Sequence, residues 1–263
     1  MTMSMPGRTI ADPGRPQLRP APAGTLIALH CSGASGEMWQ PLRDRIGVGG
    51  RVLTPDLHGA RNGPAWHGER AFTLEDEAAP IVALIDAARR PVHLVGHSYG
   101  GVIASNLGVH WQKFNIPKPV SMLLCEPGSG PFKGARLPEY SGLPADLQMV
   151  VVVGEDDYVV GDEFGRLVFQ TATNTSQRNL VVQRRSTDGR RWIGATHSEP
   201  YCYDLDFDTG LRNYTSKRVL YAARLNEVDF NCYWKFADAL MESTRNGCYT
   251  HVALGDTPDQ RWL

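Results

Sequence analysis

Short apolar runs recur along this chain at Thr25 to His30 (TLIALH), Arg51 to Pro55 (RVLTP), Val92 to Val95 (VHLV), Val120 to Leu124 (VSMLL), Met149 to Val153 (MVVVV) and Leu180 to Gln183 (LVVQ). Runs of this length, bounded by loop residues and rich in β-branched side chains, predict strands. Their nearly continuous hydrophobicity predicts burial on both faces. Between them the apolar period lengthens. Leu74, Ala78, Ile81, Val82, Ile85 and Ala88 share one face of a helix over Thr73 to Ala88, with Thr73 and Asp76 placed as a capping pair and Pro80 expected to kink it. Val102, Ile103, Ala104 and Leu107 mark one face of a helix just after the VHLV strand. Phe230, Tyr233, Trp234, Ala237, Leu240 and Met241 mark one face of a C-terminal helix, read as packed core. Alternation of strand and helix predicts an α/β fold with a doubly wound, mostly parallel sheet covered by helices on both faces. In open sheets of that kind, sites form in the loops beyond the strand ends.

The 263 residues, 42% of them hydrophobic, are enough for one large α/β domain, expected over 25–263 with an extended C-terminal tail from 198. Residues 1–24, rich in Pro, Gly and Arg without an apolar period, read as an extended lead-in. A formal net charge of -1 leaves no electrostatic footprint for nucleic acid or an anionic membrane and favours a neutral small-molecule substrate. Cys31, Cys125, Cys202, Cys232 and Cys248 are scattered, with no C-x-x-C pair and no zinc-like His spacing, so no metal site is expected. A reduced compartment is the simplest reading, with one disulfide among the last three left open. No stretch is long enough to span a bilayer and no signal-peptide core is visible, which predicts a cytoplasmic chain unless a longer precursor is exported.

Candidate chemistry centres on Gly96-His97-Ser98-Tyr99-Gly100, a G-x-S-x-G sequence between a predicted strand and a predicted helix. This is the form of a nucleophile elbow, with Ser98 on a strained turn and flanking residues small enough to permit it. A serine hydroxyl needs a histidine base and an acid that orients the histidine. In elbow-bearing hydrolases the acid and the histidine follow the serine in that order. His110 lies on or just past the elbow helix, which leaves His197, after a glycine-containing loop, and His251, past the last helix. His197 is the preferred base. Asp157, just beyond the Met149 to Val153 strand, is the preferred acid, with Asp156 its direct competitor; Asp162 is better placed to cap a helix, and Glu126 follows another strand. Backbone N–H donors for an oxyanion are expected at Tyr99 and at Ser32, with Cys31 the neighbour in doubt. Cys31, Met38 and Trp39 are candidate substrate-lining residues, although side chains beside such a loop are as often ordinary packing.

Together the segments LIALHCSGASGEMW, RVLTPDLHGARNG, HLVGHSYGG, VVVVGEDDYVV and GATHSEP resemble the α/β-hydrolase superfamily over about Thr25 to His197. The resemblance implies a Ser98, Asp157, His197 triad, an oxyanion hole at Ser32 and Tyr99, and no cofactor. Cys31 stands where many relatives have glycine. The interval from 126 to 148 is too short for the large helical cap many relatives carry there, so the site is expected to be open unless the tail folds over it. The activity implied is serine-dependent hydrolysis of a neutral small-molecule ester through an acyl-enzyme. Carbon–carbon bond hydrolysis, perhydrolysis and amide cleavage use the same triad, and a non-catalytic small-molecule receptor or scaffold is the alternative from a different class.

Overall fold

A computed structural model describes residues 24–46, 51–88, 91–129, 135–187, 192–201, 217, 221 and 223–261. The predicted N-terminal lead-in lies outside them, apart from Gly24. Six strands, β1 (Thr25–Leu29), β2 (Arg51–Leu53), β3 (Val92–His97), β4 (Pro119–Cys125), β5 (Gln148–Gly154) and β6 (Gln177–Gln183), form one sheet in the order β2-β1-β3-β4-β5-β6. Every neighbouring pair in it is parallel. A two-stranded antiparallel ribbon follows, β7 (Ser186–Thr187) and β8 (Trp192–Ile193).

Strand side chains point alternately to opposite faces, and the sequence uses both faces. Ile27, Leu29, Met149, Val151 and Val153 face a core shared with α2 (Leu74–Asp86), α3 (Tyr99–Val109) and α4 (Glu163–Thr171). Leu26, Ala28, Val150 and Val152 face a second core, shared with α1 (Gln40–Ile46), α5 (Trp234–Asn246) and α6 (Thr250–Leu254). A last short helix, α7 (Pro258–Arg261), packs beside α6. The doubly wound arrangement follows: apolar strand runs need helices on both sides.

Local signals act as elementary chemistry requires. Thr73 Oγ1 accepts from the Asp76 N–H and the Asp76 carboxylate accepts from the Thr73 N–H, a reciprocal capping box that starts α2. Pro80 sits inside that helix, which continues to Asp86. α3 departs from the one-face expectation: Gly100 through Gly108 are all buried, because small residues let the helix settle closely between sheet and loops. Its buried Asn106 is satisfied by donating to the Ala135 carbonyl at 2.6 Å and accepting from the Tyr140 hydroxyl at 3.2 Å.

The C-terminal face also needs correction. Phe230 is 41% exposed, while Tyr233, Trp234, Phe236, Ala237, Leu240 and Met241 are buried. A π-helical turn over Asp229–Tyr233 precedes α5, and its wider winding breaks the 3.6-residue phase that would have turned Phe230 inward. Between β4 and β5 the described residues contain only turns. The described part of the tail returns to the sheet, with α5 against β4 and β5. No helix among the described residues is long and apolar enough to cross a membrane.

Candidate active site

The order of strands reverses between β1 and β3, so the loops after these two neighbours open on one crevice at the sheet's carboxyl edge. Ser98 occupies the turn from β3 into α3 with φ 55° and ψ -122°, a conformation a side chain rarely adopts. The glycines around it are steric necessities. A Cβ on Gly96 would stand 2.3 Å from the Gly100 carbonyl oxygen, and one on Gly100 would stand 2.4 Å from that of Leu29 and 2.6 Å from that of His30. The strained turn is held from both sides: the Ser98 N–H donates to the Cys125 carbonyl at 3.0 Å, and the Ser98 carbonyl accepts from Gly101 at 2.9 Å and Gly128 at 3.1 Å.

Three side chains from three loops meet there. Ser98 Oγ lies 2.9 Å from His197 Nε2, and His197 Nδ1 lies 2.8 Å from Asp157 Oδ2. The other Asp157 oxygen, Oδ1, accepts from the N–H groups of Val159 (2.9 Å) and Val160 (3.0 Å), so the turn after β5 aims the carboxylate at the imidazole. Burial pushes the Asp157 carboxyl up, but its hydrogen bond from His197 and those from the two amides outweigh this and hold it below the usual carboxylate range. The competing residues are turned elsewhere. Asp156 pairs with Arg185 at 2.8 Å, Asp162 with Arg166 at 2.5 Å, and His251 is exposed beside Asp259. Glu126 is buried against Gly154 and Tyr233.

His97 carries a contact that sequence reading overlooked. Its Nε2–H donates to the His197 backbone oxygen at 2.8 Å, and the two rings lie 4.9 Å apart. Its Nδ1 is buried without a partner. Burial, with the neighbouring His197 adding to it, pushes the His97 imidazole well below its ordinary value and keeps it neutral. The available signal was a histidine ending a buried strand, but its partner is a backbone atom 100 residues away.

The loop after β1 is pinned by His30, whose Nδ1–H donates to the Cys31 carbonyl at 2.7 Å while Nε2 accepts from the Leu57 N–H at 2.9 Å. These two bonds fix one neutral tautomer. Cys31, Ser32 and Tyr99 line a cavity of about 160 Å³ together with His58 and Glu77. Burial pushes the Cys31 thiol up to about 12. The Tyr99 N–H, at the first position of α3, has no intrahelical acceptor. Met38 and Trp39 do not line this cavity. Both are fully buried in the core beneath β1, because the short 3₁₀ turn over Gly36–Trp39 rolls them under the sheet. Their reading as substrate-lining residues is therefore corrected to core packing. Among the described residues, no group of three or more His, Cys, Asp or Glu side chains could hold a metal ion.

Comparison with known proteins adds a family. The sequence profile of the alpha/beta hydrolase family matches residues 26–198. The chain belongs to that family. Among solved structures, the monoacylglycerol lipase of Paleococcus ferrophilus shares the fold with a TM-score of 0.51 at 15% identity, over 77% of this chain and 95% of its own. Two curated relatives, each named "Putative carbamate hydrolase RutD", come from Variovorax paradoxus (strain S110) and Pantoea ananatis (strain LMG 20103). They are 32% identical over 92 residues and 31% identical over 93 residues. Those alignments span only 34% and 33% of the relatives' lengths.

Proposed function

We propose that this alpha/beta hydrolase is a serine-dependent ester hydrolase acting on a neutral small-molecule ester. The observation that carries the reading is the unbroken chain from Ser98 Oγ through His197 to Asp157, starting on a strained elbow. In this mechanism His197 Nε2 takes the Ser98 proton as Oγ attacks the ester carbonyl. Asp157 keeps the Nδ1–H tautomer in place and stabilises the imidazolium. The N–H groups of Tyr99 and Ser32 stabilise the oxyanion. Collapse of the tetrahedral intermediate breaks the ester C–O bond, and the leaving alkoxide takes the proton from Nε2. Water then attacks the acyl-enzyme by the same route and restores Ser98. No cofactor enters these steps.

A carbamate is the second substrate class to test. It presents the same kind of carbonyl, and the two curated relatives carry that substrate in their name. The test is hydrolysis of p-nitrophenyl esters from acetate to palmitate, with a p-nitrophenyl carbamate alongside and labelling by a serine-directed phosphonate. The expected result is phosphonate on Ser98 and ester turnover that Ser98→Ala lowers about a thousandfold or more. A chain that neither labels nor hydrolyses any of these substrates is a scaffold, and the reading fails.

A further inference from the structure

Glu126, the first residue after β4, is fully buried where the three turns of the site converge. Its neighbours Cys125 and Gly128 both bond the Ser98 backbone, and its own N–H donates to the Val152 carbonyl at 3.0 Å. Glu126 Oε2 accepts from the Gly154 N–H at 2.6 Å, and the Gly154 carbonyl accepts from the Asp157 N–H at 3.3 Å. Glu126 Oε1 lies 2.8 Å from the Tyr233 hydroxyl, which also lies 2.9 Å from Gln183 Oε1. Gln183 Nε2 donates at 2.7 Å to the carbonyl of Gly194, in the segment that leads to His197.

Counting protons along this chain locates one of them. The Gly194 carbonyl only accepts, so the Gln183 amide must turn Nε2 toward it and Oε1 toward Tyr233. Gln183 Oε1 therefore needs the single Tyr233 hydroxyl proton. The short contact between Tyr233 and Glu126 is then a hydrogen bond only if Glu126 supplies the proton, as a neutral carboxylic acid. The surroundings agree: burial foremost, with the negative Asp157 and Glu199 adding to it, pushes the Glu126 carboxyl well above its ordinary range. The thiols of Cys125 and Cys232 and the Tyr233 phenol also face it. Glu126 even holds φ 43°, a left-handed backbone that favours glycine.

We propose that Glu126 is a positioning residue of this site, a carboxylic acid that uses its proton to tie the Asp157 turn, through Tyr233 and Gln183, to the segment leading into His197. The role rests on the triad reading above. A neutral acid makes this tie without placing a second negative charge behind Asp157, which leaves Asp157 as the carboxylate that faces the imidazole.

Glu126→Gln keeps a carbonyl for Gly154 and an N–H for Tyr233 but cannot ionise. The full chain carrying it should retain kcat within about threefold, and the infrared difference from wild type at neutral pH should show loss of a protonated-carboxyl stretch. Glu126→Ala cuts the tie and should lower kcat about tenfold or more with KM little changed. If it does not fold, Tyr233→Phe makes the same cut one step along and is expected to behave alike. Loss of carboxylate bands instead of the protonated band overturns the proton assignment. Wild-type kcat in a folded variant with the tie cut, or a Gln variant as impaired as the Ala variant, overturns the positioning role. The phosphonate separates the levels: an unlabelled Ser98 overturns the triad reading and the positioning role with it, whereas a labelled Ser98 with an indifferent tie overturns the positioning role alone.

Discussion

His97 holds His197 by its backbone. The imidazole one residue before Ser98 donates to the backbone oxygen of the histidine that faces Ser98, at 2.8 Å. His97→Ala removes that donor and leaves a void under the His197 ring. Turnover should fall about tenfold or more, mainly in kcat, with a lower melting temperature. The burial of His97 also sets a pH dependence. A group neutral when folded but free to protonate when unfolded makes the unfolded state bind more protons below its ordinary value of about 6.5, so stability is lost as pH falls through that range. Melting curves of His97→Gln should show a shallower loss on the acid side than wild type, and parallel curves would contradict the account.

Neighbouring acids give the sharpest comparison. Asp157 faces the imidazole whereas Asp156 faces Arg185. Asp157→Asn retains an oxygen for the Val159 and Val160 amides but loses the charge that, in the proposed mechanism, stabilises the imidazolium, so kcat should drop about a hundredfold or more with little change in melting temperature. Asp156→Asn should stay within about threefold, because Asp156 faces the exposed Arg185 rather than the imidazole. Steady-state kinetics of the two variants side by side would reverse the assignment if their ranking were reversed.

Gly100→Ala tests the close approach of α3 to the loop after β1. Its Cβ would meet the backbone oxygens of Leu29 and His30 at 2.4 and 2.6 Å, and backbone cannot swing aside as a side chain does. The cost should be about 1–3 kcal/mol of stability. Turnover should fall further than stability alone explains, since the displaced loop carries the Ser32 N–H proposed to stabilise the oxyanion. A denaturant titration paired with kinetics checks both; an unchanged midpoint would show that the loop yields freely.

Asp229, in the π-helical turn, has the opposite pH signature. Burial raises its carboxyl from 3.8 to about 7, so the unfolded chain ionises first and stability declines as pH rises between those values. Asp229→Asn keeps an acceptor for the Asn226 N–H and removes the ionisation. It should melt higher than wild type at about pH 8, with the advantage fading toward about pH 4. An equal gain at both ends would show that Asp229 is not the group responsible.

The fold was legible because strand burial on two faces writes itself into the sequence as continuous apolar runs such as Met149 to Val153. The placement of Ser98, Asp157 and His197 beyond strands and loops was legible for a related reason, since a sheet delivers its loop residues to one edge. Met38 and Trp39 were not, because proximity to a loop does not say on which side of the sheet a side chain lies. Phe230 was misplaced because a π-turn has no periodic signature of its own. His97 and the role argued for Glu126 depend on partners remote in sequence, a backbone carbonyl and a tyrosine hydroxyl, which local pattern cannot supply.

The contact between Ser98 and His197 closes 99 residues of chain, and that between His197 and Asp157 closes 40. Such non-local contacts form only after much loop-closure entropy has been overcome, whereas α2 and α3 are stabilised within a few turns. During refolding, helical circular dichroism should therefore recover ahead of catalytic competence. Turnover in this molecule reports native topology more strictly than any measure of its secondary structure.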